Sequence, residues 1–182
     1  MTYLFNQSEH DVYPESERDA PESPTIRPAV KAIIKKDEKF VFVTNDVSGL
    51  IMLAGGGADS ADFEQEIIRE CLEETNYKVE IVEHLGKTRS LGYKDGGREV
   101  ITDIFVVEAL ERVEGDFRMD DEKAINMHAI MLDAKTALHR MEMQNDASKK
   151  GVYAKHYNSN FNVQRDYFIF KKFLEDNNLI AN

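Results

Sequence analysis

The sequence predicts an α/β sandwich built around a mixed β-sheet. Three observations lead to this prediction: short apolar segments rich in β-branched residues, one long hairpin pattern, and segments with the apolar spacing of helices. Strand and helix patterns come in mixed order along the chain, which is typical of a sheet covered by helices. The length of 182 residues, 42% of them hydrophobic, is sufficient for one buried core.

The predicted strands share a short, apolar, β-branched character. They cover residues 29–34, 40–44, 50–54, 78–91, 98–109 and 127–132. A charged turn at 35–39 predicts that the first two strands pair. Residues 94–97 contain Asp-Gly and Gly-Gly, which accept positive φ, so they predict the turn of a long hairpin.

Three further segments predict helices. Residues 62–75 precede the hairpin, and residues 133–141 form a short helix for which Asp133 is a candidate N-cap. Residues 163–174 carry an apolar stripe at helical spacing. Between the last two helices, residues 144–162 are polar and are predicted to be irregular.

The first 27 residues differ in character from the rest. They are acidic and hold three of the four prolines, so we predict an extended N-terminal arm at 1–27 and a domain at 28–182. Two interpretations of the arm remain open. It is either a disordered tail, or it packs on the domain or on a second subunit through its aromatic and aliphatic residues.

Charge and composition exclude several classes of protein. A net charge of −11 repels a phosphate backbone, so no nucleic-acid partner is expected. A small anionic substrate held through a divalent cation is compatible with this charge. No apolar run is long enough to cross a membrane. The single cysteine, Cys71, excludes an internal disulfide, and a cytoplasmic location is predicted.

The predicted helix at 62–75 has an acidic face. Glu66, Glu70 and Glu73 fall within about 60° of one another, with Glu74 at the edge, when the segment is wound at about 100° per residue. Carboxylates at this spacing repel one another, and Arg69 can offset only part of that repulsion. Hard divalent cations require several converging carboxylate oxygens. The face is therefore either a metal site or a solvated acidic surface.

Residues 55–77 resemble the Nudix box. Gly55 stands at the family's distance from Arg69, the segment Arg69-Glu70-Cys71-Leu72-Glu73-Glu74 matches the box core, and Tyr77 fills its last apolar position. Two positions depart from the motif. Ala61 replaces the first glutamate and Asn76 replaces the late glycine. The nearby carboxylates of Asp59, Asp62 and Glu66 are candidates to compensate for Ala61.

The resemblance implies a Nudix-type α/β/α sandwich with a mixed β-sheet, and it implies the chemistry of the site. It implies Mg²⁺ or Mn²⁺ held by Glu70, Glu73, Glu74 and Gly55. Catalytic roles would fall to Glu70, Glu73, to Arg69, which orients the glutamates, and to a general base. The base is a box glutamate or a carboxylate on a later loop, for which we consider Glu122.

Substrate contacts lie partly outside the box. Gly55 and Gly56 would shape the loop under the metal site. Arg89 and Arg98 flank the hairpin, where each can reach a phosphate or form a surface ion pair such as one with Glu99. Lys155 and Tyr157 belong to a basic, aromatic segment that can hold a phosphate and stack on a base. The same segment can equally be a solubilising loop before a packing helix.

The sequence thus predicts a metal-dependent hydrolase of a diphosphate linkage in a nucleoside diphosphate derivative. ADP-ribose or another nucleotide sugar is the first substrate class considered, and nucleoside triphosphates are the second. One alternative is a Nudix domain that has lost turnover and senses a nucleotide, and another is an unrelated acidic α/β domain. The expected partner is a small-molecule nucleotide, with no nucleic acid or membrane. Because dimers are frequent in the family, a homodimer using the arm is a hypothesis.

Overall fold

The computed structural model describes residues 2–153 and 157–180. The strands in this part of the chain are β1 (Phe5–Ser8), β2 (Thr25–Lys36), β3 (Lys39–Thr44), β4 (Tyr77–Gly92), β5 (Arg98–Arg112) and β6 (His128–Leu132). The α-helices are α1 (Glu9–Val12), α2 (Phe63–Thr75), α3 (Asp120–Ala124), α4 (Ala134–Lys149) and α5 (Tyr157–Asp176). No helix of these residues combines the length and apolar character needed to cross a membrane.

The six strands form one mixed sheet in the order β1-β4-β5-β2-β3-β6. The pairs β1/β4 and β2/β5 are parallel, and the other three pairs are antiparallel. The β4–β5 connection turns at residues 94–97, where Asp95, Gly96 and Gly97 all have positive φ. The predicted hairpin and its turn chemistry are therefore confirmed.

Helices cover both faces of the sheet. On one face, Phe42 and Ile104 of the sheet pack with Met141 of α4 and Phe170 of α5. On the other face, alternate residues of β2 and β3 pack against Ile67 and Cys71 of α2. Because successive strand residues point to opposite faces, each inner strand contributes to both cores. The arrangement is the predicted α/β/α sandwich.

Residues 50–54 do not form the predicted strand. Met52 bridges to Val43 of β3, whereas Ala54 bridges to Ala32 of β2. The segment changes partner strand after two residues, so it makes isolated bridges and no continuous ladder. The apolar character of residues 50–54 correctly predicted an extended backbone. It could not show that the segment crosses from β3 to β2.

The prediction of irregular structure at 144–162 is also wrong for most of the described residues. Helix α4 continues to Lys149 and α5 begins at Tyr157. Several polar side chains of this segment are buried and form hydrogen bonds. Gln144 exchanges two hydrogen bonds with the backbone of Ile51, at 2.8 and 2.9 Å, and Ser148 donates to Asn160 at 3.0 Å. Tertiary partners thus satisfy residues whose polarity resembled that of a loop.

Part of the N-terminal segment is integrated into the sheet. Strand β1 pairs with β4, and Phe5 stacks on Phe168 of α5 with ring centroids 4.4 Å apart. Glu9 of α1 is fully buried. Of the two interpretations left open by the sequence, the structure has this segment packed on the domain. The boundary drawn at residue 27 falls inside β2.

Candidate active site

The sequence supplies the residues that cap both ends of the acidic helix α2. Asp62 accepts a hydrogen bond from the backbone N–H of Gln65 at 3.2 Å. Asn76 ends the helix in the left-handed conformation, with φ of 60°, in the place where the Nudix box has glycine. Ala61 is exposed just before the cap, so its methyl group leaves the folding of the helix unaffected.

Arg69 gathers the acidic face of α2, formed by Glu66, Glu70 and Glu73. Its guanidinium donates to these three carboxylates at 2.7, 2.8 and 2.6 Å, respectively. The hydrogen bond from Arg69 lowers the pKa of Glu66, and in return the pKa of Arg69 is raised. One fixed cation therefore holds three carboxylates that would otherwise repel one another.

Glu70 and Glu74 contact the glycine loop, residues 55–57. The backbone N–H of Gly55 donates to Glu74 Oε2 at 2.6 Å. A Cβ at Gly56 would lie 2.8 Å from Glu70 Oε2. Burial raises the pKa of Glu70, and it raises the pKa of Glu74 to about 8. Positive charge brought to the loop would favour the ionised form of both groups.

A cavity of about 290 Å³ lies beyond the glycine loop, between the sheet and α5. Its wall contains five basic side chains and, among the described residues, no acidic one: the basic residues are Arg27, Lys31, Lys94, Arg98 and Arg165. Tyr157 and Phe161 of α5 add aromatic surface. We call this space the basic cavity, and its charge is opposite to that of the whole chain.

Lys31 joins the basic cavity to the acidic helix. It lines the cavity, and its Nζ donates to the carbonyl of Leu53 at 2.7 Å, just before the glycine loop. The charge of Lys31 also opposes the rise in the pKa of Glu70 and of Glu74, so it lies near both carboxylates. The acidic face and the basic cavity are therefore two sides of one site, divided by the glycine loop.

The predicted substrate-binding residues separate into three groups. Gly55, Gly56, Arg98 and Tyr157 line the basic cavity. Arg89 does not; its guanidinium bonds to Glu99 and to Asn6, as in the ion-pair alternative. Lys155 lies outside the described residues.

Glu122, the candidate general base, is in the short helix α3. Its carboxylate accepts a hydrogen bond from the backbone N–H of Met119 at 2.7 Å, which caps that helix. Its charge also contributes to the raised pKa of Glu74. The structure therefore brings Glu122 towards the acidic helix, although its carboxylate also has a capping role.

Sequence reasoning missed several residues of the cavity wall. Lys31 had a usable signal, because it is the only charged residue among the apolar residues 29–34. Arg165 belongs to the same basic, aromatic segment as Lys155 and Tyr157, but its burial could not be predicted. That burial depends on the pairing of its guanidinium with Asp166, whose carboxylate also accepts from the backbone N–H of Leu53 at 3.1 Å. Arg27 lies next to Gly57 only because β2 passes the glycine loop.

The outer end of the cavity is held by a buried carboxylate, Glu9. Glu9 accepts hydrogen bonds from Ser16 at 2.5 Å, Arg18 at 2.7 Å and the backbone N–H of Tyr93 at 2.6 Å, and also from the hydroxyl of Tyr157. Burial opposes ionisation of Glu9, but these hydrogen bonds outweigh it and lower its pKa to about 2. Burial, followed by the bond to Glu9, raises the pKa of Tyr157 to about 12. The N-terminal segment thus fixes the wall of the cavity.

A family model described as the NUDIX domain matches residues 25–150. The chain belongs to the NUDIX domain family. This match confirms the predicted family and, with it, the predicted enzyme class, a Nudix-type pyrophosphohydrolase. Helix α5, which carries one wall of the basic cavity, lies beyond the matched range.

One solved structure supports the fold. A NUDIX hydrolase from Nitrosomonas europaea is 20% identical, with a TM-score of 0.51 over 66% of this chain and 80% of that chain. The ORF135 protein of E. coli is 18% identical, with a TM-score of 0.48 over 64% of this chain and 80% of that chain. At these identities the likeness concerns the fold alone. A search of curated protein sequences finds no significant match.

Nudix hydrolases generally use divalent metal ions, and the donors of this site suit them. Carboxylate oxygens are preferred ligands of hard cations, and Glu66, Glu70 and Glu73 already share one cationic partner in Arg69. Glu70 also presents Oε2 to the space above Gly56, which a Cβ would fill. Within residues 2–153 and 157–180, no three histidine, cysteine or acidic side chains form a preassembled ligand group. The donor chemistry therefore fits, and binding requires the carboxylates to converge.

Proposed function

We propose that this chain is a metal-dependent hydrolase that cleaves a diphosphate linkage in a nucleoside diphosphate derivative. ADP-ribose or another nucleotide sugar is the first substrate class that we propose, and nucleoside triphosphates are the second. The observation that carries the proposal is the juxtaposition of the acidic face with the basic cavity across the glycine loop. A diphosphate at this loop would meet both the metal ligands and the cations that neutralise its oxygens.

Each part of the site has a role in this proposal. Glu70, Glu73 and Glu74, with the backbone of Gly55, would hold Mg²⁺ or Mn²⁺, which supplies the positive charge that neutralises the diphosphate and activates water. Arg69 keeps the carboxylates oriented. A box glutamate or Glu122 would accept the proton from the attacking water.

The basic cavity would hold the nucleoside moiety. Lys31 and Arg27, which lie beside the glycine loop, would contact diphosphate oxygens. The rings of Tyr157 and Phe161 offer a surface on which a nucleobase can stack. The net charge of −11 supports a small anionic substrate in place of a nucleic acid.

A nucleotide sensor is the second candidate, and one observation favours it. Ala61 supplies no oxygen where the family has a glutamate, and no ligand group is preassembled in the described residues. A sensor would keep the basic cavity and bind a nucleotide without cleaving it. Turnover therefore separates the two candidates.

The test is product release from a panel of ADP-ribose, nucleotide sugars, dinucleotides and nucleoside triphosphates, with and without Mg²⁺ or Mn²⁺. We expect metal-dependent release, lowered about 100-fold in Glu73→Gln because a metal ligand loses its charge. Glu64→Gln, an exposed position on the same helix, is the matched control and should stay within about twofold of the wild type.

The outcome of this assay decides between the candidates. Release that is independent of metal, or equally affected by both substitutions, would contradict the hydrolase proposal. If no compound is cleaved but nucleotides bind, the sensor is favoured, and Ala61→Glu is the next variant to assay.

Location and assembly complete the proposal. We propose a cytoplasmic enzyme, since the single cysteine, Cys71, is buried and free. The homodimer remains a hypothesis, because packing of the N-terminal segment on its own domain leaves assembly undecided. Light scattering coupled to size-exclusion chromatography measures it directly.

A further inference from the structure

We infer that the basic cavity recognises a second anionic group on the substrate, a phosphate or carboxylate on the moiety that occupies the cavity, beyond the diphosphate that is cleaved. This inference rests on the proposed function and narrows the substrate class. It follows from where the cations lie, from the scarcity of acidic partners for them, and from how the outer end of the cavity is constructed.

The cations are spread along the cavity, from the glycine loop to its outer end, with Arg27 between Lys31 and Arg98. Lys31 is in register with Ile104 of β5, and Arg98 lies six positions earlier on the same strand. At about 3.3 Å per residue, the backbones of Lys31 and Arg98 are about 20 Å apart along the sheet. Lys31 is beside the glycine loop, whereas Arg98 and Lys94 are at the outer end. Because this separation exceeds the length of one diphosphate, a diphosphate held at Lys31 would leave Arg98 and Lys94 for another anionic group.

The outer cations have little competition from acidic groups. Within the described residues, Arg98 forms no ion pair, and the cavity wall contains no carboxylate. Lys94 approaches Asp95 at 4.0 Å, but that carboxylate is 85% exposed, and such a surface pair contributes little. In a chain of net charge −11, uncompensated basic groups at the mouth of a cavity are available to an anionic ligand.

The outer end is rigidly constructed. Arg98 is in register with Gly92, whose missing Cβ leaves room for the hydroxyl of Tyr157, which a Cβ would meet at 2.6 Å. Tyr157 stacks on Tyr13 with the rings parallel and 5.3 Å apart. Glu9 accepts a hydrogen bond from Tyr157, and its charge is paired with that of Arg18 at 2.7 Å. This ion pair offsets the charge of Glu9, which does not itself line the cavity.

The size of the cavity places the second anion on one moiety of the substrate. A volume of about 290 Å³ is near the lower end for ligand pockets and suits a single nucleoside or sugar. The anion that meets Arg98 must then belong to the moiety in the cavity. Substrates of this class include a diphosphate derivative with a phosphorylated ribose and one with an acidic sugar.

Two matched substrate pairs test the inference. ADP-ribose is compared with its 2′-phosphate, and UDP-glucose with UDP-glucuronate. We expect the more anionic member of at least one pair to be cleaved with about tenfold higher kcat/KM, because a charge-assisted contact is gained. In Arg98→Gln this preference, measured as the ratio of kcat/KM between the two members of a pair, should fall to about twofold or less. Arg112→Gln, an exposed arginine at the end of the same strand, should retain the preference.

A binding measurement separates failure of the inference from failure of the proposed function. Calorimetry compares adenosine 2′,5′-bisphosphate with AMP, and UDP-glucuronate with UDP-glucose, in the absence of metal and turnover. A preference for the anionic member that Arg98→Gln removes supports the inference even if nothing is cleaved. Equal affinity within both pairs, or a preference that survives Arg98→Gln, overturns it and leaves the hydrolase proposal intact.

Discussion

Gly55→Ala is expected to lower the free energy of unfolding by at least about 3 kcal/mol. Gly55 has φ of +124°, a conformation that residues with a side chain rarely adopt, and a Cβ there would lie 2.2 Å from the carbonyl oxygen of Val30. The contact is with the backbone of a central strand, so neither side can move without breaking the sheet. Chemical denaturation monitored by circular dichroism measures the loss.

Gly49→Ala is the matched control for this substitution. Gly49 also has positive φ, +64°, but nothing lies within 4 Å of the position of its Cβ. The free energy of unfolding of this variant should fall by only about 1–2 kcal/mol, the cost of a left-handed conformation for a residue with a side chain. If both variants lose the same free energy of unfolding, the contact between the glycine loop and β2 is not the reason for glycine at position 55.

Glu9→Gln is expected to destabilise the protein by about 3 kcal/mol at neutral pH, since it removes the charge that four donors stabilise. The pKa of Glu9 is about 2 in the folded protein, below the ordinary value of 4.5. The folded state therefore binds this proton more weakly than the unfolded state. The stabilisation is complete above about pH 4.5 and is lost as the pH falls towards 2.

The pH dependence provides the measurement for Glu9. The difference in unfolding free energy between the wild type and Glu9→Gln should be largest near neutral pH and shrink below pH 4.5. Glu17→Gln, an exposed position in the same N-terminal segment, should match the wild type throughout. A difference that does not vary with pH would mean that the ionised form of Glu9 contributes nothing specific.

The acidic face of the candidate site could be predicted because its signal is local. Glu66, Glu70 and Glu73 are spaced three and four residues apart on one face of a single helix, so the helical period alone brings them together. The basic cavity could be predicted only in part, through Gly55, Gly56, Arg98 and Tyr157, because its cations come from β2, the β4–β5 turn, β5 and α5. Arg89 and Arg98 look equivalent in sequence, yet only Arg98 lines the cavity, since Arg89 pairs with Glu99 on the neighbouring strand.

By itself, the sequence determined the family, the sandwich of helices on a mixed sheet, and the acidic helix with its glycine loop. These features depend on periodicity, turn chemistry and spacing within short segments. Only the tertiary structure decided the basic cavity, the burial of Glu9, the extension of α4 and α5 and the crossing of residues 50–54 from β3 to β2. The physical reason is that a polar or charged group can be buried only where distant partners satisfy it, and those partners are unknown until the chain is folded.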